Sequence, residues 1–154
     1  MTEDEHKKMA IQLMETAKAV FVTTIDKTGY PQTRAMFNLR NKEQWPKLVP
    51  LFRDHKGDFM ALFTTNTSST KITDIRNNSA VSVYYCNPDE WRGLMLGGNI
   101  EIVEDPELKK TVWHDGWEKY YPKGYDDPDH TILRIFPTAG RGWNQSTTYR
   151  FDLD

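Results

Sequence analysis

Residues 19–39 read AVFVTTIDKTGYPQTRAMFNL. Ala19 to Ile25 is a β-branched run, Asp26-Lys27-Thr28-Gly29 is turn chemistry, and Tyr30 to Leu39 can return as a second strand. The segment therefore predicts a β-hairpin, and strands joined by so short a turn run antiparallel.

Upstream, Thr2 and Glu5 have capping-box spacing and acidic residues fill the first turn. Met9, Ala10, Leu13, Met14 and Ala17 recur on one face, so a helix packs before the hairpin. Downstream, Asn41 to Gly57 carries charged clusters and two prolines and predicts a loop with a short strand near Leu48 to Phe52. Phe59 to Thr65 predicts a strand, Asn66 to Thr70 a turn of short polar residues, and Lys71 to Asn78 a helix through Ile72 and Ile75. Ala80 to Cys86 alternates as a strand, and Arg92 to Val103 is a longer one in which Gly97-Gly98 suggests a bulge. Asp105-Pro106 opens a helix expected to reach about Glu118. After a turn-rich stretch from Tyr120 to His130, the last strands are Thr131 to Phe136, Ala139 to Asn144 and Thr147 to Leu153. Strands outnumber helices and are mostly sequence neighbours. A mainly β fold follows, an antiparallel barrel with peripheral helices in one domain spanning 1–154.

Composition narrows the function classes. The chain has 20 basic and 22 acidic residues, a net charge of −2 and so no broad basic footprint for nucleic acid or an anionic membrane. Any anion site must be local. The single cysteine, Cys86, excludes an intrachain disulfide and a cysteine-rich zinc site and fits a reducing compartment. No apolar run approaches the roughly 20 residues of a membrane span, and the amino terminus is charged, so a soluble, cytoplasmic protein is expected. Seven Phe, seven Tyr and five Trp supply large buriable area, which can form core and subunit interface.

Thr64-Thr65-Asn66-Thr67-Ser68-Ser69-Thr70-Lys71 lies between a predicted strand and a helix, where backbone N–H groups and the helix dipole favour an anion. Lys71 in the first turn opposes that dipole unless an anion is present. The same residues also suit an ordinary Ser or Thr cap beside a solvated lysine. Arg34, in mid-strand, suits either bidentate phosphate binding or an outward-facing arginine. The glycines of a P-loop are missing, and no Rossmann fingerprint exists. His114-Asp115 and Asp126, Asp127, Asp129 and His130 lack metal-site spacing and read as solvated loop residues. Cys86 reads as a packed thiol, and no residue presents itself as a catalytic acid, base or nucleophile.

The sequence resembles the pyridoxamine phosphate oxidase-like, FMN-binding split-barrel superfamily, and within it the short branch related to bacterial general stress proteins. The resemblance rests on Pro31-Gln32-Thr33-Arg34-Ala35-Met36, on Phe63-Thr64-Thr65-Asn66 leading to Ser69-Thr70-Lys71, on Ile75-Arg76-Asn77-Asn78 before the strand Ala80 to Tyr85, and on Trp143. It implies a split β-barrel of antiparallel Greek-key type. It implies FMN, with Arg34 and Lys71 on the phosphate, assisted by Ser69 and Thr70. Ala35 and Met36 would lie along the flavin through their backbone, and Thr64 and Thr65 would touch the ring or ribityl chain. Trp143 would reach the flavin from a second subunit, so a homodimer with interfacial FMN and a small-molecule redox substrate is implied.

Where pyridoxamine phosphate oxidases carry a basic Arg-Leu-His-Asp-Arg cluster after the late tryptophan, this chain reads Thr147-Thr148-Tyr149-Arg150-Phe151-Asp152-Leu153. Thr70 and Leu39 stand where those oxidases have basic residues. The resemblance thus implies an FMN-dependent oxidoreductase that does not oxidise pyridoxamine phosphate. The alternatives are a non-catalytic flavin-binding or flavin-storing module used under stress, or the same barrel holding haem or deazaflavin, as related families do.

Overall fold

Thr2 caps the first helix, α1 (Glu3–Thr16): its hydroxyl accepts from the Glu5 N–H while the Glu5 carboxylate accepts from the Thr2 N–H. In the computed structural model, which describes residues 1–154, α1 buries Ala10, Ile11, Leu13 and Met14 against the sheet. Its last carbonyls are satisfied from a distance. Buried Asn38 donates to the carbonyls of Met14 and Ala17 at 2.7 and 2.9 Å, and Asn41 donates to Ala17 at 3.0 Å.

The strands are β1 (Ala19–Ile25), β2 (Pro31–Phe37), β3 (Ala61–Asn66), β4 (Ala80–Asn87), β5 (Arg92–Val103), β6 (His130–Ile135), β7 (Ala139–Asn144) and β8 (Thr147–Asp152). The expected hairpin is β1–β2, with Ala19 opposite Phe37 and Ile25 opposite Pro31. Asp26 closes its turn, accepting from the N–H groups of Thr28 and Tyr30, and these bonds with those of Thr28 and Gln32 side chains hold its carboxyl down at about 2. Sheet order is β2-β1-β4-β5-β6-β3, with β7 on β5 and β8 on β7, every pairing antiparallel. This is the expected mainly β split barrel.

The split is made by β5. Residues 92–97 pair with β7, whereas residues 100–103 pair with β6. Gly97-Gly98 lies at the changeover, and the β4–β5 register runs through it unbroken from Ala80–Asn99 to Asn87–Arg92, so the expected bulge is not formed. Gly98 has a different reason to be glycine. The β6–β7 connection crosses directly over it: a Cβ on Gly98 would stand 3.2 Å from Pro137 Cα, and the Thr138 N–H donates to the Gly97 carbonyl at 2.9 Å.

Two apolar clusters result. The larger packs α1 onto Val20, Val22, Val83, Leu94 and Leu96, and the smaller gathers Leu39, Leu48, Phe52, Met60, Trp117 and Ile132. Strand β3 lies between them, Phe63 facing one and Leu62 the other, which explains its unbroken apolar run. Each fully buried aliphatic or aromatic side chain contributes about 1.5–3 kcal/mol.

Two local expectations are corrected. Leu48 to Phe52 is not a strand: a 3-10 turn at Pro46–Leu48 continues into the short helix α2 (Val49–Phe52), since Pro46 and Pro50 favour first-turn helical positions and cannot donate to a ladder. The helix begun by Asp105 and Pro106, α4 (Pro106–Val112), stops before Glu118, because Trp113 turns to extended backbone and Gly116 takes φ 101°. The remaining helix is α3 (Thr70–Asn77). No helix is long and apolar enough to cross a membrane.

Candidate functional site

Arg34, Ala35 and Met36 of β2, Thr64 and Thr65 of β3 and Lys71 of α3 line one cleft of about 800 Å³, a volume suited to a cofactor-sized ligand. Six sequence-predicted residues, scattered over two strands and a helix, therefore meet at one place. Antiparallel pairing puts Arg34 opposite Val22, and its half-buried guanidinium is held at one nitrogen. Nη1 donates to Thr24 Oγ1 at 2.8 Å and to the carbonyls of Gln32 and Val22 at 3.0 and 3.3 Å, leaving Nε and Nη2 without a protein acceptor.

Lys71 is oriented in a similar way. Its Nζ donates to Thr65 Oγ1 at 2.7 Å and Ser69 Oγ at 2.9 Å, and Ser69 is also the N-cap of α3. Burial, followed by the nearby positive charge of Arg34, lowers the proton affinity of Lys71. Arg34 is itself lowered by burial, with the charge of Asp74 opposing. Neither cation takes part in any of the protein's ion pairs, all of which lie elsewhere. Lys18 adds a third cation to the lining.

The strand-to-helix turn between β3 and α3 is already occupied by the chain's own anion. Asp129 accepts from the Ser68 N–H at 2.8 Å and the Asn66 amide at 2.6 Å, and its main-chain carbonyl accepts from the Thr67 N–H at 2.8 Å. These bonds lower the Asp129 carboxyl from its ordinary value. The Ser69 N–H is taken by the Asn66 carbonyl. Cationic side chains, rather than free backbone donors, are what this cleft offers an anion. Ser69 supports Lys71 without lining the cleft, and Thr70 is exposed outside it.

Trp143 lies elsewhere in the chain. It shares a cavity of about 320 Å³ with Tyr84, Cys86, Trp91 and Gly93, its ring 6.2 Å from Tyr84 and under the Arg141 guanidinium. Cys86 is half-buried at this cavity rather than packed in the core, and burial pushes its thiol up.

The remaining wall includes aromatics that the sequence reading assigns to core and interface packing. Phe37, Trp45, His114, Tyr120 and Tyr121 line the cleft, with Phe37 5.4 Å from Trp45 and 6.3 Å from Tyr120. The aromatic richness of residues 113–125 was the only signal, and it does not separate cleft from core. Nor are Asp127 and His130 solvated. Asp127 is buried and caps its own loop through the N–H groups of Lys123 and Asp129, and His130 is fully buried between Tyr121 and Trp113.

The family described as pyridoxamine 5'-phosphate oxidase like matches residues 4–152. A Clostridium acetobutylicum protein related to general stress protein 26 of B. subtilis, from the pyridoxinephosphate oxidase family, is 31% identical. Its structure aligns with a TM-score of 0.79 over 99% of this chain and 98% of that one. General stress protein 26 of Bacillus anthracis aligns with a TM-score of 0.70 at 18% identity, covering 96% and 99%. A heme binding protein from Mycobacterium smegmatis aligns with a TM-score of 0.69 at 11% identity, covering 99% of this chain and 60% of its own. The last two share the fold alone. No curated protein sequence matches the chain.

Proposed function

The chain belongs to the pyridoxamine 5'-phosphate oxidase like family, and we propose on that basis that it is a cytoplasmic FMN-binding oxidoreductase. The observation that carries the reading is the pair Arg34 and Lys71, two converging cations without a carboxylate partner in a cleft of about 800 Å³. A phosphate monoester satisfies both: Nε and Nη2 of Arg34 form a fork for two oxygens, and Lys71 supplies a point charge. The apolar and aromatic side chains of Met36, Phe37, Trp45 and Tyr120 suit a flat heteroaromatic ring beyond it. FMN, when bound, supplies the redox chemistry, and the protein's part is to hold, orient and shield it.

Mechanistically, Arg34 and Lys71 anchor the phosphate, with Thr24, Thr65 and Ser69 fixing their directions. Thr64, Thr65 and the backbone of Ala35 and Met36 border the ring and ribityl chain. The reading includes a homodimer in which Trp143 of the second copy closes the cleft. Phe21 and Tyr84, paired neighbours on β1 and β4 and each more than a third exposed, give the barrel an apolar outer face for that contact. Sedimentation of the purified protein tests the dimer, and Trp143→Ala is expected to weaken FMN binding without changing sedimentation.

The decisive experiment is an absorption spectrum of freshly purified protein, followed by titration with FMN and riboflavin. A flavin spectrum and binding of FMN at least tenfold tighter than riboflavin are expected, since loss of charged hydrogen bonds costs about 1.5–3 kcal/mol. Equal affinity for the two overturns the phosphate grip. A flavin that NADH and NADPH fail to reduce, with no acceptor turned over, makes the protein a flavin carrier rather than an oxidoreductase. A Soret band instead favours haem, as in the mycobacterial neighbour.

A further inference from the structure

His130, the first residue of β6, is fully buried, and its two ring nitrogens have different partners. Nδ1 lies 2.7 Å from the Tyr125 carbonyl, which can only accept, so Nδ1 carries a hydrogen. Burial holds the imidazole below its ordinary range, so the ring is neutral near pH 7 and Nε2 is an acceptor. The Thr64 hydroxyl, 3.0 Å from Nε2, must therefore donate to it. With its one hydrogen spent, Thr64 can only accept from Tyr121, whose hydroxyl lies 3.1 Å away. The chain runs in one direction, from Tyr121 through Thr64 to His130. Thr64 and Tyr121 both line the cleft, and neither has a hydroxyl hydrogen left for a ligand.

We propose that His130 is a positioning residue which, through Thr64 and Tyr121, makes this stretch of wall an acceptor-only surface that selects a ligand ring bearing an N–H donor. The inference rests on the flavin reading, and oxidised FMN carries one ring N–H, at the imide N3. Without His130, Thr64 regains a hydrogen that it can turn to a ring carbonyl flanking N3, so a ring lacking the N–H is partly compensated and the wall discriminates less. A wall committed to accepting rejects a ring that presents a carbonyl or a methylated nitrogen, because two buried lone-pair groups then face no donor.

The probes are FMN, N3-methyl-FMN and riboflavin, with affinity as the readout. Wild type is expected to bind FMN at least about tenfold tighter than N3-methyl-FMN, the scale of an unmade buried hydrogen bond. In His130→Leu that ratio should fall at least about threefold as the freed Thr64 hydrogen turns to a ring carbonyl, while the preference for FMN over riboflavin, set by Arg34 and Lys71, persists and reports a folded cleft. His130→Gln can accept from Thr64 through its amide oxygen and should restore most of the discrimination. A ratio near one in wild type overturns the proposal but not the flavin reading. A ratio that survives His130→Leu also overturns it, because a steric clash with the methyl group would not depend on His130. Failure of any flavin to bind removes both. Independently of ligand, long-range ¹H–¹⁵N spectra should show His130 Nδ1 protonated and Nε2 bare at neutral pH, and the opposite tautomer sinks the relay.

Discussion

The ammonium of Lys71, carried by α3, stands near enough to the guanidinium of Arg34, carried by β2, for one charge to depress the proton affinity of the other. The fold thus holds two like charges together with no carboxylate ion-paired to either, an arrangement that costs stability until an anion arrives. Because Lys71 binds its proton less tightly folded than unfolded, Lys71→Met should leave the ligand-free protein as stable as wild type or more so. The same substitution, like Arg34→Ala, should weaken FMN binding by about 1.5–3 kcal/mol. Thermal melting with and without FMN, beside fluorescence titration, checks both. A large fall in ligand-free stability would show that Lys71 is structural instead.

Gly142 of β7 lies opposite Tyr149 of β8, and the tyrosine ring fills the space a Cβ would occupy. That ring cannot easily yield, since it is buried and stacked on His6 of α1 at 4.6 Å. Gly142→Ala should therefore destabilise the protein by about 1–3 kcal/mol through overpacking. Gly97→Ala, where a Cβ meets nothing within 4 Å, is the control and should cost under about 1 kcal/mol, the backbone and strand-propensity scale. Urea unfolding of the two variants measures the contrast.

The hairpin and the antiparallel order were legible because turn chemistry and alternation are local signals: Asp26 and Gly29 fix one end, and Val20, Val22 and Thr24 alternate inward. Leu48 to Phe52 misled because five residues are too few to distinguish strand from helical turn. Arg34 and Lys71 stood out only through the family resemblance, since spacing alone suits an outward-facing arginine and a solvated lysine as well. Asp129 and His130 did not, since their partners Ser68 and Thr64 reach them only through the β3–β6 pairing of distant segments. The aromatic wall was hidden for the same reason. Phe37 and Trp117 stack at 6.1 Å although they belong to opposite halves of the sequence.

Asp129 fills the turn that sequence spacing would assign to an external anion. Its carboxyl is held low by Asn66 and Ser68, so the stability it confers is present above the ordinary carboxylate pKa and is lost as pH falls through the lower folded value. Asp129→Ala should lower the melting temperature at pH 7 and flatten the acid limb of the stability curve. It should also free the Ser68 N–H beside the cleft and remove a negative charge. FMN affinity should then hold or rise despite the lost stability, and a fall in affinity parallel to stability would show that the turn positions Lys71.

His130 gives the stability curve a second pH dependence of the same sign. Burial lowers its folded pKa below the ordinary 6.5, with the charge of Lys109 adding to that and the Tyr125 carbonyl and Asp127 opposing. As pH falls through about 6.5, the unfolded chain takes up the proton first, because its histidine is solvated. Stability is therefore full above that value and declines as pH drops towards the folded pKa. Protonation in the fold would place a second N–H against Thr64 and reverse the hydroxyl chain, and burial is what chiefly disfavours the charged ring. His130→Gln keeps an acceptor for Thr64 but has no proton to gain. Urea midpoints measured from pH 7.5 to 5 should fall in wild type and stay flatter in the variant over that interval. Parallel curves for the two proteins would mean that His130 does not titrate there.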